Sequence, residues 1–345
     1  MNTSNNFDFL RLLFSLFVIV THSYSLSGLP EEDALFHITN GQLIFSYTGV
    51  CGFFIISGFL VFRSLENSKD LFDFFKRRVF RIFPALFVVL VLSAFVLGPL
   101  LCNKVDYFSD PSVWRYVPTH LQLIIGYNND AINGVFENNP STPTINGSLW
   151  TISYEFLFYA ALSVLILIRN KKTALKIILS AFYIFLFAVM LFSKVSLDQI
   201  YIPKTNFSFL NLDQFGLFFT AGAVLAVFDF DKFNYRHQSI IVSLLLIAVS
   251  MYFHFFYLVQ HILLPLLIIS FGTLSFKFIS EIKNRAGGDY SYGTYLWGYV
   301  VLQTIIYLFH PSRIVLMLIA VPVSIGFGIL SWHLVEKPAL RLKEN

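Results

Sequence analysis

Ten stretches of this chain, each about twenty residues long, are almost wholly apolar, with polar residues gathered between them. They lie near 8–27, 43–62, 80–101, 149–168, 174–193, 209–228, 239–256, 258–276, 290–309 and 312–334. A helix crossing the hydrocarbon core of a bilayer needs about 20 such residues, so each stretch predicts a membrane span. The stretch carrying Asp213 and Gln214 is the most polar, and the seventh and eighth divide around Tyr257. No internal repeat is visible, although the commonest transporter architectures show one. The expected fold is all-α: a polytopic bundle of about ten transmembrane helices forming one integral-membrane domain, residues 1–345. A long extracytoplasmic loop at 101–147, rich in Asn, Asp, Ser and Pro, interrupts it. Loops of that length are commonly functional.

The placement of positive charge orients the bundle. With the N-terminus in the cytosol, only Lys104, Arg115, Lys194, Lys204 and Arg313 fall outside, and the other nineteen of the 24 Lys and Arg fall inside. Cytosolic loops carry such an excess, so both termini are expected in the cytosol. The first apolar stretch follows Met1 to Asp8, which contains no Lys or Arg, and no small-residue cleavage site succeeds it. It reads as a retained helix rather than a signal peptide.

Composition narrows the class. The chain is 56% hydrophobic and only 13% charged, against about 25% charged in a soluble domain. Lipid must solvate much of it. No basic nucleic-acid motif occurs, so no nucleic-acid partner is expected. Cys51 and Cys102 form neither a disulfide framework nor a CxxC pair, and two free thiols and no metal site are expected. HExxH, GxSxG and Walker patterns are absent.

Ionisable groups inside spans mark functional candidates. Arg11 and His22 are eleven residues apart, on one helix face and about 16 Å apart along the axis. Asp8 stands one turn from Arg11 as its partner. His22, in the outer half of the bilayer, is an imidazole able to accept a hydroxyl proton near neutral pH, or a helix-end histidine bonded to a carbonyl. Glu155 lies about two turns below the outer surface, near the depth of His22. It could orient the imidazole, bind a sugar hydroxyl or relay a proton, and Tyr159 could equally satisfy it. Arg77, Arg78 and Arg81 stand at the cytosolic mouth of the third span, with Pro84 near its start. Guanidinium pairs suit phosphates, but the same run serves as a positive-inside anchor. Ser148 reads as the N-cap of the fourth span, within an Asn146-Gly147-Ser148 triplet that also fits a glycosylation acceptor. His254 and His261 read as packed or interfacial, and His37, His120, His237, His310 and His333 as residues of loops or helix ends.

Six segments in order resemble the acyltransferase-3 family of bacterial membrane proteins. They are Arg11 with His22, Gly49 to Phe59, Arg78 to Pro84, Ser148-Leu-Trp150 through Glu155, Asp289 to Leu296 with Tyr292, and Trp332 to Pro338. The resemblance implies an O-acyltransferase of the bacterial inner membrane, without a resident cofactor, acting on surface polysaccharides and related acceptors. Its partners would be a cytosolic acyl-CoA, acetyl-CoA foremost, a saccharide or lipid-linked glycan, and membrane lipid. The implied catalytic residues are His22, Glu155 and Arg11. Arg78, Arg81 and Arg77 would hold the donor, and Asp8, Ser148, Trp150, Tyr159 and Tyr292 would support them. The sequence departs from many relatives after Leu296, where Trp297-Gly298-Tyr299 replaces a histidine-bearing segment. It also ends at Asn345 without the esterase-like domain that some relatives carry. A transporter or flippase for a lipid-linked saccharide or acyl compound is the alternative reading, and a sensor that has lost the chemistry is a third.

Overall fold

The computed structural model describes residues 5–102, 104–123, 131–192, 200–202, 205, 207–276, 279, 281 and 287–342. Asn128, Asn129, Asp130, Lys194, Lys204, Lys277, Lys283, Arg285 and Lys343, all used in the reading of loops and charge, lie outside the described residues. Among the described residues the only strand-like feature is an isolated bridge between Tyr201 and Ser208, and the fold is otherwise helical.

The elements are α1 (Phe7–Ser25), α2 (Ala34–Ile38), α3 (Phe45–Glu66), α4 (Leu71–Leu92), α5 (Pro111–Leu121), α6 (Trp150–Ser163), α7 (Lys172–Phe192), α8 (Phe209–Val227), α9 (Arg236–Tyr252), α10 (Phe256–Thr273), α11 (Ser291–Phe309) and α12 (Arg313–Ser331). Through a π turn, α4 continues to Leu101 and α12 to Leu342, while a 3₁₀ turn carries α6 to Ile168. Each of the ten predicted spans falls on one of these rods. Eight rods among the described residues are long and apolar enough to cross a membrane. α9, with 17 residues, is shorter. α11 is not among the eight: it carries Ser291, Thr294, Gln303, Thr304 and four tyrosines.

Two predicted boundaries move. The third span was expected from residue 80 with Pro84 near its start, but the helix begins at Leu71 and encloses Pro84. Asp70 caps it by accepting from the Asp73 N–H at 2.8 Å. A rod of 31 residues is about 46 Å long, well beyond a core of about 30 Å, so its charged first turns extend past the hydrocarbon. Ser148 does not cap α6. Leu149 takes that place without a side-chain bond, and Asn146 accepts from the Ser148 N–H at 3.3 Å. Asn146 is itself buried and donates to the Leu296 carbonyl at 2.8 Å, which removes it as a glycan acceptor.

The core is the α3–α8 pair, flanked by α1, α6, α7 and α10, with α11 packed between α1 and α12. Glycine permits this approach: a Cβ on Gly58 would lie 1.9 Å from the Phe219 carbonyl oxygen, and one on Gly222 2.1 Å from that of Ile55. Small residues let helix backbones close in this way in membranes. α7 buries only Leu175 and Leu179 and α9 only Ser243 and Ser250, so both present mainly apolar outer faces. Cys51 is buried, Cys102 is partly exposed, and both are free thiols.

The 101–147 region is not one open loop. It contains α5, and its last part lies along α11. Asn139 donates to the Gln303 side chain at 2.8 Å, and Gln303 donates to the carbonyls of Thr142 and Thr144, both at 2.7 Å. This strand of contacts leads directly into α6 and sets where that helix begins.

Candidate active site

Helices α1, α3, α4, α6 and α11, with the end of α12, enclose a cavity of about 700 Å³. Of the residues singled out in the sequence, Asp8, Arg11, Arg77, Arg78, Arg81, Glu155, Tyr159 and Tyr292 line it. His22, Ser148 and Trp150 do not.

At one end lies an ion network. Arg11 reaches Asp8 at 2.5 Å and Asp289 at 3.1 Å. Arg81 reaches Asp289 at 2.6 Å and Glu336 at 3.3 Å. Asp289 also accepts from the Ser291 hydroxyl at 2.5 Å, and Glu336 from the Ser331 hydroxyl at 2.8 Å. Burial alone would raise the Asp289 carboxyl, but Arg11 and Arg81 outweigh it and hold the group well below the usual carboxylate range. Two arginines are therefore shared among three carboxylates, and the network ties together α1, α4, α11 and the α12 extension.

Arg77 pairs with Asp73 at 2.8 Å. Arg78 differs from its neighbours. No carboxylate among the described residues comes within 4.0 Å of it, its Nη2 donates to Ser64 at 3.1 Å, and its Nε is buried without a hydrogen-bond partner. The guanidinium lies over the Tyr159 ring, 5.7 Å from its centroid. A cation lining a cavity with donors to spare is a place for an anion.

Deeper in, Glu155 accepts from Ser57 at 2.7 Å and from the Tyr159 hydroxyl, which also lies 2.9 Å from Ser57. Tyr159 thus satisfies Glu155, one of the roles its spacing allowed. Glu155 does not orient His22. The carboxylate beside the His22 Nδ1 is Glu31, at 3.8 Å. The His22 ring meets Tyr299 edge-on, with centroids 5.4 Å apart, and Tyr299 is one helical turn along α11 from the cavity-lining Tyr295. Trp150 packs on Tyr154 and Phe215 and is 37% exposed.

Sequence reasoning named neither Ser57, Asp289, Glu336, Tyr295 nor Glu31 as site residues. The first four stand within the quoted segments, so the signal was present but not their pairings. Glu31 lies in the short segment between α1 and α2, where nothing local marks it. Other titratable candidates stand apart: His261 is buried and stacked on Phe218, with centroids 4.6 Å apart. Among the described residues no cluster of His, Cys, Asp or Glu is arranged to hold a metal.

Fold and site together define a multi-pass helical membrane protein with an arginine-lined cavity at one end of the bundle. The sequence profile of the acyltransferase-3 family, described as an acyltransferase domain, matches residues 4–333. The chain belongs to that family, and so to the membrane acyltransferases. It is 29% identical over 339 residues to an O-acetyl transferase of Shigella phage Sf6, covering 98% of this chain and 96% of that protein. It is 28% identical over 377 residues to nodulation protein 10 of Rhizobium leguminosarum bv. viciae, covering 99% and 94%. No solved structure matches it.

Proposed function

We propose that this protein is an O-acetyltransferase of the bacterial inner membrane, moving an acetyl group from cytosolic acetyl-CoA to a hydroxyl of an extracytoplasmic or lipid-linked saccharide. The observation that carries the reading is Arg78, a half-buried cavity-lining guanidinium without a carboxylate partner among the described residues, its Nε buried and unbonded. Coenzyme A offers phosphates and a long thioester arm. Arg78, flanked by Arg77, grips the phosphates, and the arm extends along the cavity past Ser57 and Glu155. Arg81 and Arg11, already held by Asp289, keep the mouth open and add positive field. Glu155 with Tyr159 positions the thioester end, and Tyr292, donating to the Ile82 carbonyl at 3.0 Å, braces the wall.

His22 is the base. The acceptor oxygen adds to the thioester carbonyl carbon as the imidazole takes the hydroxyl proton. The C–S bond then breaks, and the thiolate leaves and is protonated. Glu31, 3.8 Å from the His22 Nδ1, stands where a carboxylate can orient the ring. General-base help of this kind contributes about 10²–10⁴-fold.

Inverted membrane vesicles containing the protein, given radiolabelled acetyl-CoA, test this. Label should enter glycan with the wild type and disappear with His22→Ala. Retained transfer in His22→Ala would remove the base assignment. Saccharide flux without acetyl-CoA consumption would replace the enzyme by a transporter.

A further inference from the structure

The cavity stops short of His22, and one side chain stands at the boundary. The Tyr295 hydroxyl is 2.6 Å from Thr151 Oγ1 and donates to the Ser148 carbonyl at 2.8 Å. Its ring lies edge-on to Phe53, 5.5 Å between centroids. Directly beyond, Asn146 is pinned to the Leu296 carbonyl, and a Cβ on Gly147 would stand 2.8 Å from the Tyr299 ring. Tyr299 in turn faces His22. Tyr295 and Thr151 line the cavity, while Ser148, Tyr299 and His22 do not. Three elements meet at this layer: α11, the start of α6, and the end of the outer loop region that leads into it.

We propose that Tyr295 is a latch dividing the bundle into a cytosolic chamber holding Arg78 and Glu155 and an outer chamber holding His22, and that it must release for an acyl group to pass. The direction of passage rests on the acetyltransferase reading above; the partition itself does not. A tyrosine suits the task because its ring fills the gap while its hydroxyl ties α11 to the start of α6, where Thr151 already donates to the Ser148 carbonyl at 3.2 Å. Each bond biases the closed state by roughly two- to tenfold, so the latch holds at rest and still opens on a biological timescale. Its purpose is protective. If water reached the thioester, its oxygen would add to the carbonyl carbon and the C–S bond would break. The products would be free thiol and acetate, and the acetyl group would be wasted.

The test places a reporter thiol below the latch. In a Cys102→Ser background, where the remaining native Cys51 is fully buried, Leu60→Cys puts a thiol on the cavity wall. A small charged methanethiosulfonate is applied to intact cells, reaching the outer face, or to inverted vesicles, reaching the inner face. With Tyr295 present, labelling should proceed from the inner face and be slow from the outer. Tyr295→Phe, which keeps the ring, should raise outer-face labelling roughly tenfold or more. Thr151→Val should raise it by a smaller factor, and Tyr295→Ala by the most. Equal outer-face labelling with and without the Tyr295 hydroxyl would overturn the latch, as would a parent labelled equally fast from both faces. The labelling needs no acyl transfer. Acetyl-CoA-dependent thiol release without acceptor, raised by Tyr295→Phe, joins the latch to the chemistry. Correct labelling with no thiol release in any variant would keep the partition and remove the acetyl-CoA reading.

Discussion

Two charge clusters lie at the same end of the helices, and they differ in how completely their arginines pair with carboxylates. In the first, Arg63 bonds Glu66 and Asp229, both at 3.0 Å, and also contacts Asp231. Lys172 closes on Asp229 at 2.7 Å. The Lys172 hydrogen bond, then Arg63, hold the Asp229 carboxyl well below its ordinary range. The cluster staples the ends of α3, α7 and α8 and gives its arginine three carboxylate partners. In the second, at the cavity mouth, Arg11, Arg81 and Arg77 each pair with a carboxylate, while Arg78 among them has none among the described residues. By sequence the two clusters look alike, since both are positive residues near acidic ones. Pairing is what distinguishes them: an arginine paired with several carboxylates holds helices together, whereas one without a carboxylate partner that faces a cavity has donors to spare.

The largest effect expected is on stability at the mouth. Asp289→Asn leaves Arg11 and Arg81 facing one another with one carboxylate fewer, and breaking a buried pair costs about 3–5 kcal/mol. Thermal unfolding of the detergent-solubilised protein should fall markedly, and an unchanged midpoint would show that the network is not a strut. Next is Arg78→Ala, which removes the free cation and leaves every salt bridge of the mouth in place. A hydrogen bond to a charged group is worth about 1.5–3 kcal/mol, so kcat/KM for acetyl-CoA should fall roughly 10- to 150-fold with little change in melting. Arg78→Lys should recover part of it. Smaller again is Arg63→Ala, whose cluster is partly open to solvent and screened. Melting should drop slightly and donor affinity should not move. A donor defect in Arg63→Ala as large as that in Arg78→Ala would erase the distinction between the clusters.

The smallest expected effect is with pH. Asp289 and Asp229 both have carboxyls depressed in the folded protein, so their stabilisation is fully present above the unfolded value of about 3.9. It is lost only as pH falls below that value toward the folded one. The contribution of these two carboxylates should therefore be flat between about pH 5 and 9, so that Asp229→Asn costs the same stability at both ends of that range, as followed by intrinsic fluorescence.

The spans were legible because lipid asks the same thing of every segment: roughly twenty apolar residues with their backbone bonds satisfied internally. What extends past the lipid was not. Residues 71–79 are helical yet carry four charges, Asp73, Lys76, Arg77 and Arg78, and are capped by Asp70, so the start of α4 could not be read as a span edge. Arg11 and Glu155 were found because charge stands out in an apolar helix, Tyr159 because it lies one turn from Glu155, and Tyr292 only through the family resemblance. Their pairings were hidden by distance along the chain: Arg81 meets Asp289 across 208 residues and Glu336 across 255. Depth estimates put Glu155 beside His22. The ending of the 101–147 region carries α6 inward along α11, so Glu155 faces Ser57 instead and Glu31 takes the place beside the imidazole.

Acetyl-CoA binding to the purified protein, measured side by side for wild type, Arg78→Ala and Arg63→Ala, tests the central claim most directly. Wild type and Arg63→Ala should bind alike, with Arg78→Ala weaker by at least about tenfold. Equal binding by all three, or none by the wild type, would contradict the assignment of the unpaired arginine to the donor.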